Sequence, residues 1–383
     1  MPELGEFLNQ YLLGHTFRTV AAGAAAMGLI SGVIGSFAVA RGQSLMGDAV
    51  SHATLPGVVV AAMLVGVREP WALIAGASVT GVAAAAAISL TARSTPVKFD
   101  SALALVLTAA FGLGMVLLVA QSRGDSAQAG LNNFLFGQAA AIVAADLLTI
   151  AATALLVLAA VAWRWNEFRA ICFDYEFAQV AGVAVRRLDL LLVLLLVVTI
   201  AAGLKVVGVV LMSAMLVAPA VAARQWSDRF AVVTTLSAAF GVTGGVAGAF
   251  VSILGPSLAT GPLVVLSLGA IALVSIVAAP RHGVIAEYVR TQRRRSRFRL
   301  EKTLAAMLAL EGQHLSGQHL HSAAAIQASI PDLDGVDEMV RELAAAGLAT
   351  GSPGQGWRLT AQGIARARGL LDERNIALPG TSP

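Results

Sequence analysis

Cysteine is almost absent from this 383-residue chain: Cys172 stands alone, which excludes an intrachain disulfide and leaves any thiolate metal or redox site without a second sulfur. Charge is scarce too, at 13% of residues, and there are only 3 tyrosines. So few charges cannot cover the surface of an ordinary soluble protein of this size. No Gly-x-x-x-x-Gly-Lys-Ser/Thr phosphate loop occurs anywhere, so the chain is not expected to hydrolyse ATP itself. The stretch Met1 to Phe17 carries Glu3 and Glu6 and lacks a basic amino-terminal region, which argues against a cleaved signal peptide.

What is present is apolar: 57% of residues are hydrophobic and the mean hydropathy is +0.78. The excess is uneven. Residues 18–279 are rich in Ala, Val, Leu and Gly, whereas residues 281–383 read as a soluble segment. Lipid must therefore be the solvent for the first part, and only helices or closed barrels satisfy their backbone there. Crossing a ~30 Å hydrocarbon layer takes about 20 residues of helix, and the apolar runs are too long for strands. Spans are expected near 18–40, 48–67, 70–91, 101–121, 141–163, 188–203, 206–223, 230–254 and 262–279. The fold class that follows is an all-α polytopic membrane protein of about nine transmembrane helices with a small additional domain. Residues 1–280 form the membrane domain, 281–299 a basic linker, 300–375 the soluble domain and 376–383 a disordered tail.

Orientation is read from Arg and Lys in short loops. Arg41, the Arg93–Lys98 loop, Arg164, Arg169, Arg186, Arg187, the Arg224–Arg229 loop and the arginines after 280 all fall on one side if the spans alternate. That side is the cytosol of a bacterial plasma membrane, which places the C-terminus inside. The net charge of +4 is thereby explained by membrane orientation, since the excess gathers at Arg290, Arg293, Arg294, Arg295, Arg297 and Arg299, beside anionic lipid. Within the spans, Gly28, Gly32 and Gly35, and Gly241, Gly244, Gly245 and Gly248, recur three or four apart and mark faces where helix backbones approach closely.

The most informative polar residues are Asp48 and His52. Four apart on a helix, they share a face one turn apart and can converge on one ion. A carboxylate and an imidazole suit Mn²⁺, Fe²⁺ or Zn²⁺, and the missing thiolate argues against a soft-metal trap. Ionisable groups at membrane depth usually face a pathway or a partner. A structural alternative stands beside this: Asp48 complements the dipole in the first turn of its helix, and His52 makes one interhelical hydrogen bond.

The run from Gly35 to Gly57, GSFAVARGQSLMGDAVSHATLPG, closely resembles the signature of metal-transporting ABC permeases of the zinc, manganese and iron uptake group. The similarity continues through Gly203 to Ala220, GLKVVGVVLMSAMLVAPA, and through Gly255 to Pro262, GPSLATGP. It departs from the group at Gly42-Gln43, where bulkier or basic residues are common. The resemblance implies an ABC importer permease fold in which Asp48 and His52 line the metal path. It also implies three partners: an ATPase subunit that binds the ATP, an extracytoplasmic metal-binding protein, and a second permease subunit, identical or similar. The cargo it implies is a transported divalent metal, Mn²⁺, Zn²⁺ or Fe²⁺, with Mn²⁺ put first by the repressor-like tail described below, and no cofactor is expected to be permanently bound. Between the fifth and sixth spans, the stretch Cys172 to Asp189 resembles the coupling helix of the group, which docks into the ATPase. On that resemblance Asp174 and Glu176 cap or position the short helix, Phe177 anchors it and Gly182 permits the turn that follows. A stand-alone channel or carrier, and a membrane-tethered regulator, are the competing classes.

In the tail, helices are expected over 300–311, 319–329, 336–346 and 361–373, with a turn and strand over 351–360. This order resembles a winged helix, most closely the N-terminal domain of DtxR-type metal-responsive repressors. The would-be reading helix carries Asp334, Asp337, Glu338 and Glu342 against Arg341, a balance that repels phosphate and argues against DNA as partner. His314, His319 and His321 crowd one segment and are candidates for a regulatory metal site.

Overall fold

The structure, a computed structural model, describes residues 15–65, 70–121, 137, 144–254, 258–312 and 320–374. It divides into two compact units, Met1–Val284 and Ile285–Pro383. The first is built from α1 (His15–Ala40), α2 (Ser44–Ala53), α3 (Leu55–Val65), α4 (Pro70–Ser94), α5 (Phe99–Gln121), α6 (Ala144–Trp163), α7 (Trp165–Phe173), α8 (Tyr175–Val180), α9 (Val185–Val207), α10 (Val209–Arg224), α11 (Phe230–Ser252) and α12 (Thr260–Ala278).

Among the described residues, eight stretches are long and apolar enough to cross a membrane, with α2 and α3 joined as one, Ser44–Val65. The expected span at 206–223 takes a different form. Gly208, at φ 88°, breaks the chain after α9, and α10 is a helix of 16 residues. At 1.5 Å per residue it is about 24 Å long, short of the hydrocarbon thickness. Its side chains pack inside the unit, with Met212, Met215 and Leu216 fully buried. Helices α1 and α9 are likewise mostly buried, whereas α5 and α12 expose most of their length.

The small residues explain how the interior closes. A Cβ on Gly28 would lie 2.1 Å from the Gly241 carbonyl oxygen, so α1 and α11 touch backbone to backbone at that crossing. Ser237 Oγ donates to the Gly32 carbonyl at 2.7 Å, and the Ser36 and Thr234 hydroxyls are 2.9 Å apart, which satisfies polar groups where no water reaches.

The second unit consists of α13 (Val284–Glu311), whose first residue still belongs to the first unit, α14 (Ala323–Ser329), α15 (Val336–Ala345), an antiparallel hairpin of β1 (Ala349–Ser352) and β2 (Gly356–Leu359), and α16 (Ala361–Arg374). Its core gathers Leu304, Met307, Ile326, Val340, Trp357 and Leu370. Two helix boundaries differ from expectation. The helix expected over 300–311 already begins at Val284, within the basic stretch, because residues 284–311 contain neither Gly nor Pro and arginine is a good helix former. Helix α14 starts at Ala323 because the Ser322 hydroxyl caps it, accepting from the Ala325 N–H at 3.2 Å. The stretch expected as a disordered tail, 376–383, lies outside the described residues.

Candidate metal pathway and its surroundings

Helix α2 begins at Ser44, one turn earlier than hydropathy suggested, which puts Asp48 in its second turn. Its faces are strongly divided. Met46, Gly47, Ala49, Val50, Ser51 and Ala53 are buried, and the Ser51 hydroxyl is satisfied by the Gly47 carbonyl at 2.6 Å. The other face carries Leu45, Asp48 and His52, with the Asp48 side chain 42% exposed and that of His52 19%.

His52 Nε2 lies 3.6 Å from Asp48 Oδ1, too far for a good hydrogen bond. It is close enough for both to bind one ion. With ligand distances of about 2.1 Å, donors so spaced subtend roughly 120° at the ion, an ordinary angle for two ligands of a divalent transition metal. The His52 ring stands edge-on to Phe111 of α5 at 5.2 Å, which fixes its plane. Its Nδ1 is buried and has no hydrogen-bond partner among the described residues, so the nitrogen available to polar chemistry is the one facing Asp48. The structural alternative receives no support: the first turn of α2 contains no acid, and no interhelical hydrogen bond from His52 is found among the described residues.

Two donors are not a coordination shell. Among the described residues no group of three or more His, Cys, Asp or Glu side chains is placed to hold a metal. Cys172, on α7, is a poor candidate to add one: burial pushes its thiol up to about 11, Arg41 opposes this and Asp189 adds to it, so the sulfur stays protonated at neutral pH.

The connector between α6 and α9 folds as two short helices. Asp174 lies between α7 and α8, and its Oδ1 accepts from the Phe177 N–H at 2.8 Å, an N-cap for α8. Glu176 occupies the first turn, and Gly182 turns the chain at φ 80°, which glycine adopts without cost. The helix presents apolar side chains outward: Phe177 is 66% exposed and Val180 88%.

Residues 14–279 match the ABC 3 transport family. The chain belongs to that family. An ABC 3 chain is the integral-membrane permease of an ABC transporter, which fits a bundle of long apolar helices without a phosphate loop. This ABC 3 chain is similar to the zinc transport system membrane protein TroC of Treponema pallidum, 43% identical over 280 residues that cover 73% of this chain and 94% of that protein. It is also similar to the manganese transport system membrane protein MntC of Bacillus subtilis, 40% identical over 289 residues, 75% of this chain and 66% of that protein. Among solved structures, PsaBC from Streptococcus pneumoniae in complex with Fab superposes with a TM-score of 0.67 at 28% identity, covering 76% of this chain and 99% of that one.

The remaining candidates of the ABC 3 chain lie in its second unit. His314 and His319 fall outside the described residues. His321 is buried, and its backbone pairs with Trp357 at 2.9 and 2.8 Å, so it belongs to a β-bridge rather than to an open loop. Sequence reasoning missed one arrangement altogether: Asp189, near the start of α9, is ion-paired with Arg41 and lies 3.6 Å from Arg93. The available signal was a lone acid leading an apolar helix on the side where the arginines gather.

Proposed function

We propose that the chain is the permease subunit of an ATP-driven importer of a divalent transition metal, Mn²⁺ first, carrying it from an extracytoplasmic binding protein to the cytosol. The observation that carries this reading is the Asp48–His52 pair, two converging hard-to-borderline donors on the half-open face of an otherwise buried helix. Manganese leads because several relatives are named for manganese transport, two of them 40% and 36% identical over 75% and 76% of this chain, and Zn²⁺ remains the alternative through TroC. Asp48 and His52 supply two ligands, and a second permease copy facing the same path supplies others.

The exposed apolar side of α8 docks on an ATPase subunit, with Phe177 as its anchor and Asp174, Glu176 and Gly182 setting its geometry. The C-terminus is cytosolic, as the arginine-rich loops imply. There the helices, bridge and hairpin of the second unit form a winged-helix-like module. Helix α15 and its N-terminal flank, with Asp334, Asp337, Glu338 and Glu342, suit dimerisation or regulation better than DNA.

The test is uptake of radiolabelled Mn²⁺, Zn²⁺ and Fe²⁺ into vesicles holding the full complex. Asp48→Ala, expressed at the normal level, abolishes metal-dependent uptake on this reading. Uptake equal to that of the unaltered chain removes Asp48 from the mechanism.

A further inference from the structure

Asp189 lies where four elements of the first unit meet. It is near the amino-terminal end of α9, the helix that follows α8 after the Gly182 turn. Its Oδ1 accepts from Arg41, which belongs to the short Arg41-Gly42-Gln43 turn that leads directly into α2. Its Oδ2 lies 3.6 Å from Arg93 near the end of α4. The Arg41 and Asp189 side chains are only 13% and 17% exposed, whereas that of Arg93 is 57% exposed, so the first pair is the firm contact and the second the loose one. In a poorly solvated site, a guanidinium held by one carboxylate has no equivalent partner to move to.

A cavity of about 260 Å³ adjoins this cluster, lined among others by Gln43 and Met46 of the α2 entrance, Arg93, Asp189 and Tyr175 of α8. The space lets these side chains shift without rebuilding the packed interior behind them. A chain of contacts therefore runs from α8 through the start of α9 to Arg41, and on into the helix that carries Asp48 and His52 seven and eleven residues later. Gly42, at φ 66° with open space around its Cβ position, keeps that turn free to follow Arg41.

We infer that Asp189 is a positioning residue that passes movement of the docking helix α8 to the metal-bearing helix α2 through its ion pair with Arg41. The inference rests on the transport reading above. Among the described residues Asp189 has no hydrogen bond or ion pair to Asp48, His52, Phe177 or Val180, so its loss disconnects two working parts and spares each.

The experiment reconstitutes the full complex in vesicles and measures Mn²⁺ moved per ATP hydrolysed. This ratio is insensitive to poor folding, which lowers both numbers together. Asp189→Asn is expected to leave ATP hydrolysis per assembled complex within about twofold of the unaltered chain and to lower the ratio tenfold or more. Asp189→Glu, which keeps the charge, restores most of it. A ratio unchanged in Asp189→Asn, or hydrolysis and uptake that fall by the same factor, overturns the inference. If Asp189→Asn does not assemble, Arg41→Gln decides: it removes the charge that answers Asp189, and the ratio is expected to fall severalfold. An unchanged ratio in Arg41→Gln is equally fatal. Failure of the transport reading is distinguishable, since it shows as an unaltered complex that hydrolyses ATP and moves no metal.

Discussion

Cys172 offers a direct test of the electrostatics around the connector. Burial raises its pKa from 9.0 to about 11, with Arg41 lowering it and Asp189 raising it by smaller amounts. At pH 8 the thiolate fraction is then about 100-fold smaller than for a thiol at the ordinary value. Because the folded state holds the proton more tightly, the corresponding stability, of order 3 kcal/mol, is fully present below pH ~9 and is lost as pH rises through ~11. The assay is the rate of maleimide labelling of the purified full-length chain from pH 7 to 10.5, in which Cys172 is the sole thiol. The rate is expected to climb about tenfold per pH unit without levelling off below pH 10. Arg41→Gln removes the opposing guanidinium and moves the profile to still higher pH, while Asp189→Asn moves it down. Restricted access slows labelling at every pH but leaves the midpoint near 9, so a plateau beginning there refutes the shifted thiol. With it would go the argument that sulfur takes no part in holding the metal.

Gly28→Val forces a side chain into the α1–α11 crossing, where a Cβ already lies 2.1 Å from backbone. Thermal unfolding in detergent is expected to show a loss of about 1–3 kcal/mol, and an unchanged midpoint means the crossing is looser than described. Asp174→Ala removes the cap of α8 at a cost of about 1 kcal/mol. Co-purification with the ATPase subunit should weaken while the melting of the membrane bundle stays put; equal recovery of the ATPase dissociates the cap from docking.

Much of the candidate site was legible early, and for identifiable reasons. Asp48 and His52 stand out because ionisable groups are rare in apolar runs and because a spacing of four fixes their shared face once a helix is assumed. The cap at Asp174 and the turn at Gly182 are local events, governed by a side chain reaching three residues along and by a positive φ. Span counting was good where the runs were long. It did not show that the helix in the run at 206–223 is shorter and packed against protein, because hydropathy scores apolar residues alike whether they face lipid or protein. The helix expected from 300 begins at Val284, since arginines extend a helix without penalty when no glycine or proline intervenes.

By itself, the sequence determined that lipid is the main solvent, that helices span it, that no Gly-x-x-x-x-Gly-Lys-Ser/Thr loop is carried and that Asp48 and His52 share a helix face. Each of these follows from composition or from spacing within a single element. Tertiary structure alone decided that His52 turns its nitrogen toward Asp48 against Phe111, that α10 is packed inside, and that Asp189 joins Arg41 across 148 residues of chain. Those facts depend on where separate helices meet. Periodicity along one helix holds no information about the neighbour that fills its groove or answers its charge.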